Sequence, residues 1–195
     1  MKRLSIALGL AAIAVMLHGC GGGGGAGGGV ALTANERVFV VRVSDPTNGA
    51  PIENAEIYFV TDTGQTIPMA RVVASSTSGA PNTVPMNIAR AFKSDIRAGD
   101  FVLRNVGDNL FFRGFWVRRP AGYTAVVRHI TPENIRRVIQ TPNAPNVQAA
   151  CLVASNQAGV VSVVFGAPRV VDFGTIEIFP NNPQIPPPPV DDQCP

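Results

Sequence analysis

The chain has 195 residues, 46% hydrophobic and 15% charged, with a formal net charge of +3. Once a leader and tails are set aside, about 150 residues remain, enough to bury one core and too few for two ordinary domains. Removing Lys2 and Arg3 with the leader leaves 14 basic against 13 acidic groups, a balance that excludes a nucleic-acid-binding charge stripe.

Residues 1–20 carry a basic start (Lys2, Arg3), an apolar run over 4–17 and small residues at the end. This is the layout of a secretory signal peptide, and the run is short for a membrane span. Leu17-His18-Gly19-Cys20 resembles a bacterial lipobox, with His18 in place of the usual small residue. The resemblance implies lipidation of Cys20 as the new N-terminus. The other reading is an ordinary secretory signal with a chance cysteine. Gly21 is not an acidic retention residue, so the analogy implies the outer membrane where the cell has two. Residues 21–29, glycine apart from Ala26, lack the strand, Gly-Lys-Ser/Thr ending and helix of a phosphate loop. They read as part of a tether over 21–36, and a run of nine such residues spans about 15–18 Å as a random coil.

The β domain is expected over 37–180. In 38–44, Phe39, Val41 and Val43 share one face and Val38, Val40 and Arg42 the other. Side chains alternate along a strand, so two largely apolar faces predict a central strand. Asp45-Pro46-Thr47-Asn48-Gly49 supplies turn chemistry, after which the chain reverses or changes sheet. From Ala55 alternation resumes, with Ile57 and Phe59 opposite Glu56, Tyr58 and Val60, as in a sheet buried on one side. Residues 66–76 predict a third strand, which Pro68 assigns to an edge or an irregular start. Residues 75–82 are a loop by composition, and 84–92 fit either a short strand or a helical turn. Strands follow at 100–106, 110–118 and 123–130.

Thr131-Pro132-Glu133-Asn134 has the signature of a helix start, with Thr131 as cap and Pro132 in the first turn. The spacing predicts one short helix ending near Gln140, because Pro142 disfavours helical geometry before it. Residues 147–154 and 159–165 read as strands around Ser155-Asn156-Gln157, and 173–179 as the last. The tail 181–195, with four prolines at 186–189, is expected to be extended and polyproline-like.

Residues 43–57 (VSDPTNGAPIENAEI) resemble the opening of carboxypeptidase regulatory-like domains, the transthyretin-like β-sandwich family. Residues 99–106 with 120–123 are similar to its later strands, and 171–178 to its closing strand. The segments 74–98 and 128–150 depart from the family's compact spacing as insertions. The resemblance implies an all-β, transthyretin-like or Ig-like sandwich with inserted loops.

No catalytic constellation is assembled. With the leader removed, His129 is the remaining histidine, too few for a two-histidine metal site. No Gly-x-Ser-x-Gly is present for a hydrolytic serine. Asp45, Asp62, Asp108 and Asp172 sit near turns, where bonding to nearby backbone explains them without calcium. The chain is therefore expected to be non-enzymatic, with no cofactor and no metal. Cys151 and Cys194 are left either as a disulfide, which export permits, or as two unpaired thiols. Phe111 and Phe115 fall on one face of a regular strand and Phe112 and Trp116 on the other. One set packs in the core; the other covers a neighbouring strand or, as Phe112 with Trp116, offers a stacking platform for a sugar ring. The expected function is an exported, lipid-anchored envelope module for scaffolding or adhesion. Its partners are the membrane and other envelope proteins, with carbohydrate binding as the alternative and no nucleic acid.

Overall fold

The first strand, β1 (Glu36–Ser44), lies between two neighbours in the larger of two sheets, as the two apolar faces require. The computed structural model describes residues 36–61, 63–75, 80–106, 112–132, 134–141 and 170–193. The leader, most of the tether, Cys20, Cys151, Cys194, Asp62, Asp108, Phe111 and the strands expected at 147–154 and 159–165 lie outside them. The remaining strands are β2 (Glu56–Thr61), β3 (Thr66–Pro68), β4 (Ala70–Val73), β5 (Thr83–Pro85), β6 (Phe101–Val106), β7 (Phe112–Arg118), β8 (Tyr123–Ile130), β9 (Arg136–Gln140), β10 (Val170–Pro180) and β11 (Asp192–Gln193). The large sheet runs β11-β9-β8-β10-β1-β6-β4-β5 and the small one β3-β2-β7. The molecule is an all-β sandwich.

Between the sheets, Phe39, Val41 and Val43 of β1 meet Ile57 and Phe59 of β2 and Phe112, Phe115 and Val117 of β7. Phe39 and Phe59 have ring centroids 4.8 Å apart and join the two layers directly. On the reverse face of β1, Val38 and Val40 form a second core with Val72, Ala89, Ile96 and Val102. It is roofed by a short helix, α1 (Met86–Phe92). This explains the ambiguity of 84–92, which contains both a strand, β5, and a helix. The helix turns Met86, Ala89 and Phe92 toward the sheet, a spacing of three that one helical face provides.

The turn after β1 is built as its composition dictates. Thr47 donates its N–H and hydroxyl to Asp45 Oδ1 at 2.8 and 2.6 Å, and Gly49 N–H donates to the Asp45 carbonyl. The chain then crosses from the large sheet to β2 in the small one. Residues 66–76 are two strands rather than one: β3 edges the small sheet and β4 enters the large one, with buried Met69 at the crossing.

The helix expected over 131–140 is not formed; this stretch is a hairpin loop followed by β9. Asn134 N–H donates to the Thr131 carbonyl at 2.9 Å and Thr131 N–H to the Ile135 carbonyl at 3.2 Å. Asn134 takes a positive φ of 62°, the left-handed conformation that a tight hairpin loop uses to return the chain. Thr131 and Pro132 suit such a turn as well as a helix start. What decides is the strand itself, where buried Val138 and Ile139 pair with Arg128 and Val127 of β8. The tail also returns to the fold. Asp191 N–H donates to the Val138 carbonyl at 2.8 Å, Val138 N–H donates to Asp191 Oδ2 at 3.2 Å, and β11 pairs in parallel with β9.

Candidate functional site

The aromatic strand β7 does not keep regular alternation. Its pairing with β2 shifts register between Val60↔Gly114 and Thr61↔Phe112, leaving Arg113 exposed at a bulge. An extra residue in one strand moves everything beyond it to the opposite face. Phe112 therefore joins Phe115 in the core, with centroids 4.8 Å apart, instead of sharing a face with Trp116. Trp116 lies on the reverse face of the small sheet, edge-on to Tyr58 at 5.8 Å. Phe112 and Trp116 are 3% and 1% exposed. The stacking platform that alternation would give them is thus not assembled.

The indole of Trp116 gives a direct check. In the folded full-length chain, acrylamide is expected to quench the single tryptophan weakly, with quenching rising only across the unfolding transition. Strong quenching of the native protein would contradict the burial.

His129 is equally enclosed, at 1% exposure, and its Nε2–H donates to the Phe173 carbonyl at 2.7 Å while its ring stands edge-on to Phe115. That nitrogen is used in holding β8 to β10. Asp45 and Asp172 serve turns: Asp172 Oδ1 accepts the Gly174 N–H at 2.8 Å, and Asp172 Oδ2 pairs with Lys93 at 3.2 Å. Arg42 donates through Nε and Nη2 to the two oxygens of Asp100, both at 3.1 Å, and Asp100 Oδ2 also accepts the Arg97 N–H. Asp100 is 3% exposed, so this fork clamps the loop before β6 to β1. These charges hold the fold together.

An open polar trough lies at one end of the small sheet. One part, about 630 Å³, is lined by Pro51, Glu53, Arg118, Arg119, Pro120 and Tyr123. The other, about 280 Å³, is lined by Tyr58, Met69, Arg71 and Thr83. Asn54 and Glu56 border both. The floor comes from strand pairing, since Glu56 of β2 lies opposite Arg118 of β7 and Tyr58 opposite Trp116. Alternation then places Glu56, Tyr58 and Arg118 on one face. Arg118 Nη1 donates to Glu56 Oε1 at 3.1 Å and Oε2 at 3.3 Å, and the Tyr58 hydroxyl donates to Oε2 at 2.7 Å. Both members of the ion pair are close to half exposed, so the pair contributes little to stability. It does fix the tyrosine.

Both tyrosines of the chain border this trough. Burial, with the neighbouring Glu56 carboxylate, pushes the Tyr58 hydroxyl above the ordinary phenol range. Burial, with the neighbouring Asp45 carboxylate, does the same for Tyr123. Both therefore stay protonated donors at neutral pH. Arg119 donates to the Tyr123 carbonyl at 2.6 Å, which secures the turn into β8. None of these groups stands out in the sequence. The opposite charges at Glu56 and Arg118 are the one available signal, and it has meaning only once β2 and β7 are paired. Comparison of the chain with protein-family models, with curated proteins and with solved structures finds no match.

Proposed function

We propose that this protein is a non-enzymatic β-sandwich module, exported and held to the cell envelope by lipid on Cys20, that scaffolds or adheres to other envelope components. The observation that carries the reading is the order of parts: an apolar leader ending in Leu17-His18-Gly19-Cys20, a glycine tether, then a sandwich whose first strand begins at Glu36. The tether gives the sandwich reach from a membrane surface. A transthyretin-like arrangement of the carboxypeptidase regulatory-like kind fits the turn at Asp45 to Gly49 and the change of sheet after it. The engagement of His129, Asp45, Asp100 and Asp172 in backbone and ion-pair contacts supports a structural use of the residues a hydrolase would need.

Each buried methylene contributes about 0.8 kcal/mol to membrane binding, and stable anchoring takes more than one chain. Intact-mass analysis of the membrane fraction is expected to find a mature protein beginning at Cys20 with acyl mass attached. Cys20→Ser is expected to lose that mass and the membrane association. An unmodified protein, or one beginning elsewhere, would remove the anchor from this reading. The alternative, a carbohydrate-binding module at the cell surface, draws on the trough bordered by Tyr58 and Tyr123.

A further inference from the structure

We infer that the trough between Tyr58 and Tyr123 is a saccharide-binding site, in which the two tyrosine rings meet the apolar faces of sugar residues and the Glu56–Arg118 pair, with Asn54, hydrogen-bonds their hydroxyls. The inference rests on the carbohydrate-binding alternative and gives it a location different from the buried Phe112 and Trp116.

Three observations favour this ligand class. The larger part of the trough, about 630 Å³, falls in the range of about 300–1,000 Å³ typical of ligand sites. Asn54 and Glu56 also border the smaller part, so the two parts adjoin and offer places for successive sugar units. The lining is of mixed sign, with Glu53 and Glu56 beside Arg118 and Arg119. An anionic ligand such as a phosphate would meet two carboxylates, and an apolar peptide would remove the half-exposed Glu56–Arg118 pair from water without adding a hydrogen bond to it. Sugar hydroxyls both donate and accept, so they can satisfy a carboxylate and a guanidinium side by side.

The site is also ordered before any ligand arrives. The Tyr58 hydroxyl is tied to Glu56 and its ring rests edge-on against Trp116, while Tyr123 is packed against the main core. Rings already fixed lose little freedom on binding, which favours affinity. The Glu56 carboxylate, already held by Arg118 and Tyr58, likewise loses little freedom when it accepts a further hydrogen bond.

The test uses the full-length chain in detergent micelles and affinity electrophoresis against soluble β-glucan, xylan, mannan and solubilised peptidoglycan. Variants Tyr58→Ala and Arg118→Ala are compared with wild type, and Arg113→Ala, exposed at the β7 bulge, serves as control. Thermal unfolding of each variant establishes that it is folded, and Tyr58→Phe and Glu56→Gln supply milder changes where the alanine variants unfold. At least one glycan is expected to retard the wild type and Arg113→Ala equally, with affinity falling roughly tenfold in Tyr58→Ala and Arg118→Ala. The same glycan is expected to shift the emission of buried Trp116 through its contact with Tyr58. If a glycan binds wild type and all variants alike, the trough is not its site, and the inference falls while the carbohydrate reading survives. If none of the four glycans retards the wild type, both fall.

Discussion

Phe173→Ala is expected to lower the free energy of unfolding by about 3–5 kcal/mol, the range for removing a fully buried phenylalanine. Phe173 is 0% exposed and its ring centroid lies 4.3 Å from that of Phe112, 5.1 Å from Phe115, 5.9 Å from Phe39 and 6.2 Å from Phe59. Phe39 and Phe173 belong to the large sheet and the other three to the small one. The ring thus stands at the seam of the sandwich. Its neighbours are held by separate strands of two sheets and cannot all move inward, so the cavity stays open and the upper part of the range applies. Urea unfolding followed by far-ultraviolet circular dichroism should show a lower midpoint at an unchanged slope, the sign of a stability change without a change of mechanism. A loss below about 1 kcal/mol would mean that the aromatic cluster repacks, and would contradict its rigidity.

How much of this core is legible in the sequence depends on whether alternation holds. In β1 it holds from end to end, so the period of two alone assigns Phe39, Val41 and Val43 to one face and Val38 and Val40 to the other, as the two cores require. In β7 and β10 a bulge breaks it. A period of two carried through Arg113 puts Phe112 on the face of Trp116, and one extra residue reverses that assignment. In β10 the core residues are Phe173, then Ile176 and Ile178, a change from odd to even positions across Gly174. The glycine is visible in the sequence, but the register it changes belongs to the pairing with β1.

The failure of the helix expected at 131–140 has a different origin. Thr131 and Pro132 satisfy the local requirements of a helix start and of a turn equally, and the preference for β9 comes from pairing with β8 and from Asp191 of the tail, 53 residues from the Val138 it holds. The trough is hidden from the sequence for the same physical reason. Glu56 and Arg118 are separated by 62 residues and carry ordinary surface charges. They form one arrangement only because β2 and β7 are neighbours in the small sheet, a fact of topology that no local pattern contains.

Gly174→Ala, which adds a single heavy atom to the large sheet, is expected to be strongly destabilising. Between Val40↔Asp172 and Arg42↔Thr175 the parallel pairing of β1 with β10 shifts register, and Phe173 and Gly174 both fall in that interval. Gly174 takes a φ of 80° there, and its N–H is held by Asp172 Oδ1. A Cβ at this position would overlap the carbonyl oxygen of Ile130 and press on Thr131, both main-chain groups of the hairpin leading to β9. Two costs combine: the left-handed backbone, about 1–2 kcal/mol for an L-residue, and overpacking against atoms that cannot rotate away, about 1–3 kcal/mol. The expected loss is therefore about 2–5 kcal/mol. Gly122→Ala separates the two costs, since Gly122 has a similar φ of 86° but nothing within 4 Å of an added Cβ. It should show the backbone cost alone, about 1–2 kcal/mol. Urea midpoints of the two variants measured together decide the matter, with Gly174→Ala unfolding at the lower concentration. Equal midpoints would mean that the β8–β9 hairpin yields to the new methyl group, and that the bulge is held by backbone conformation without the close packing against Ile130.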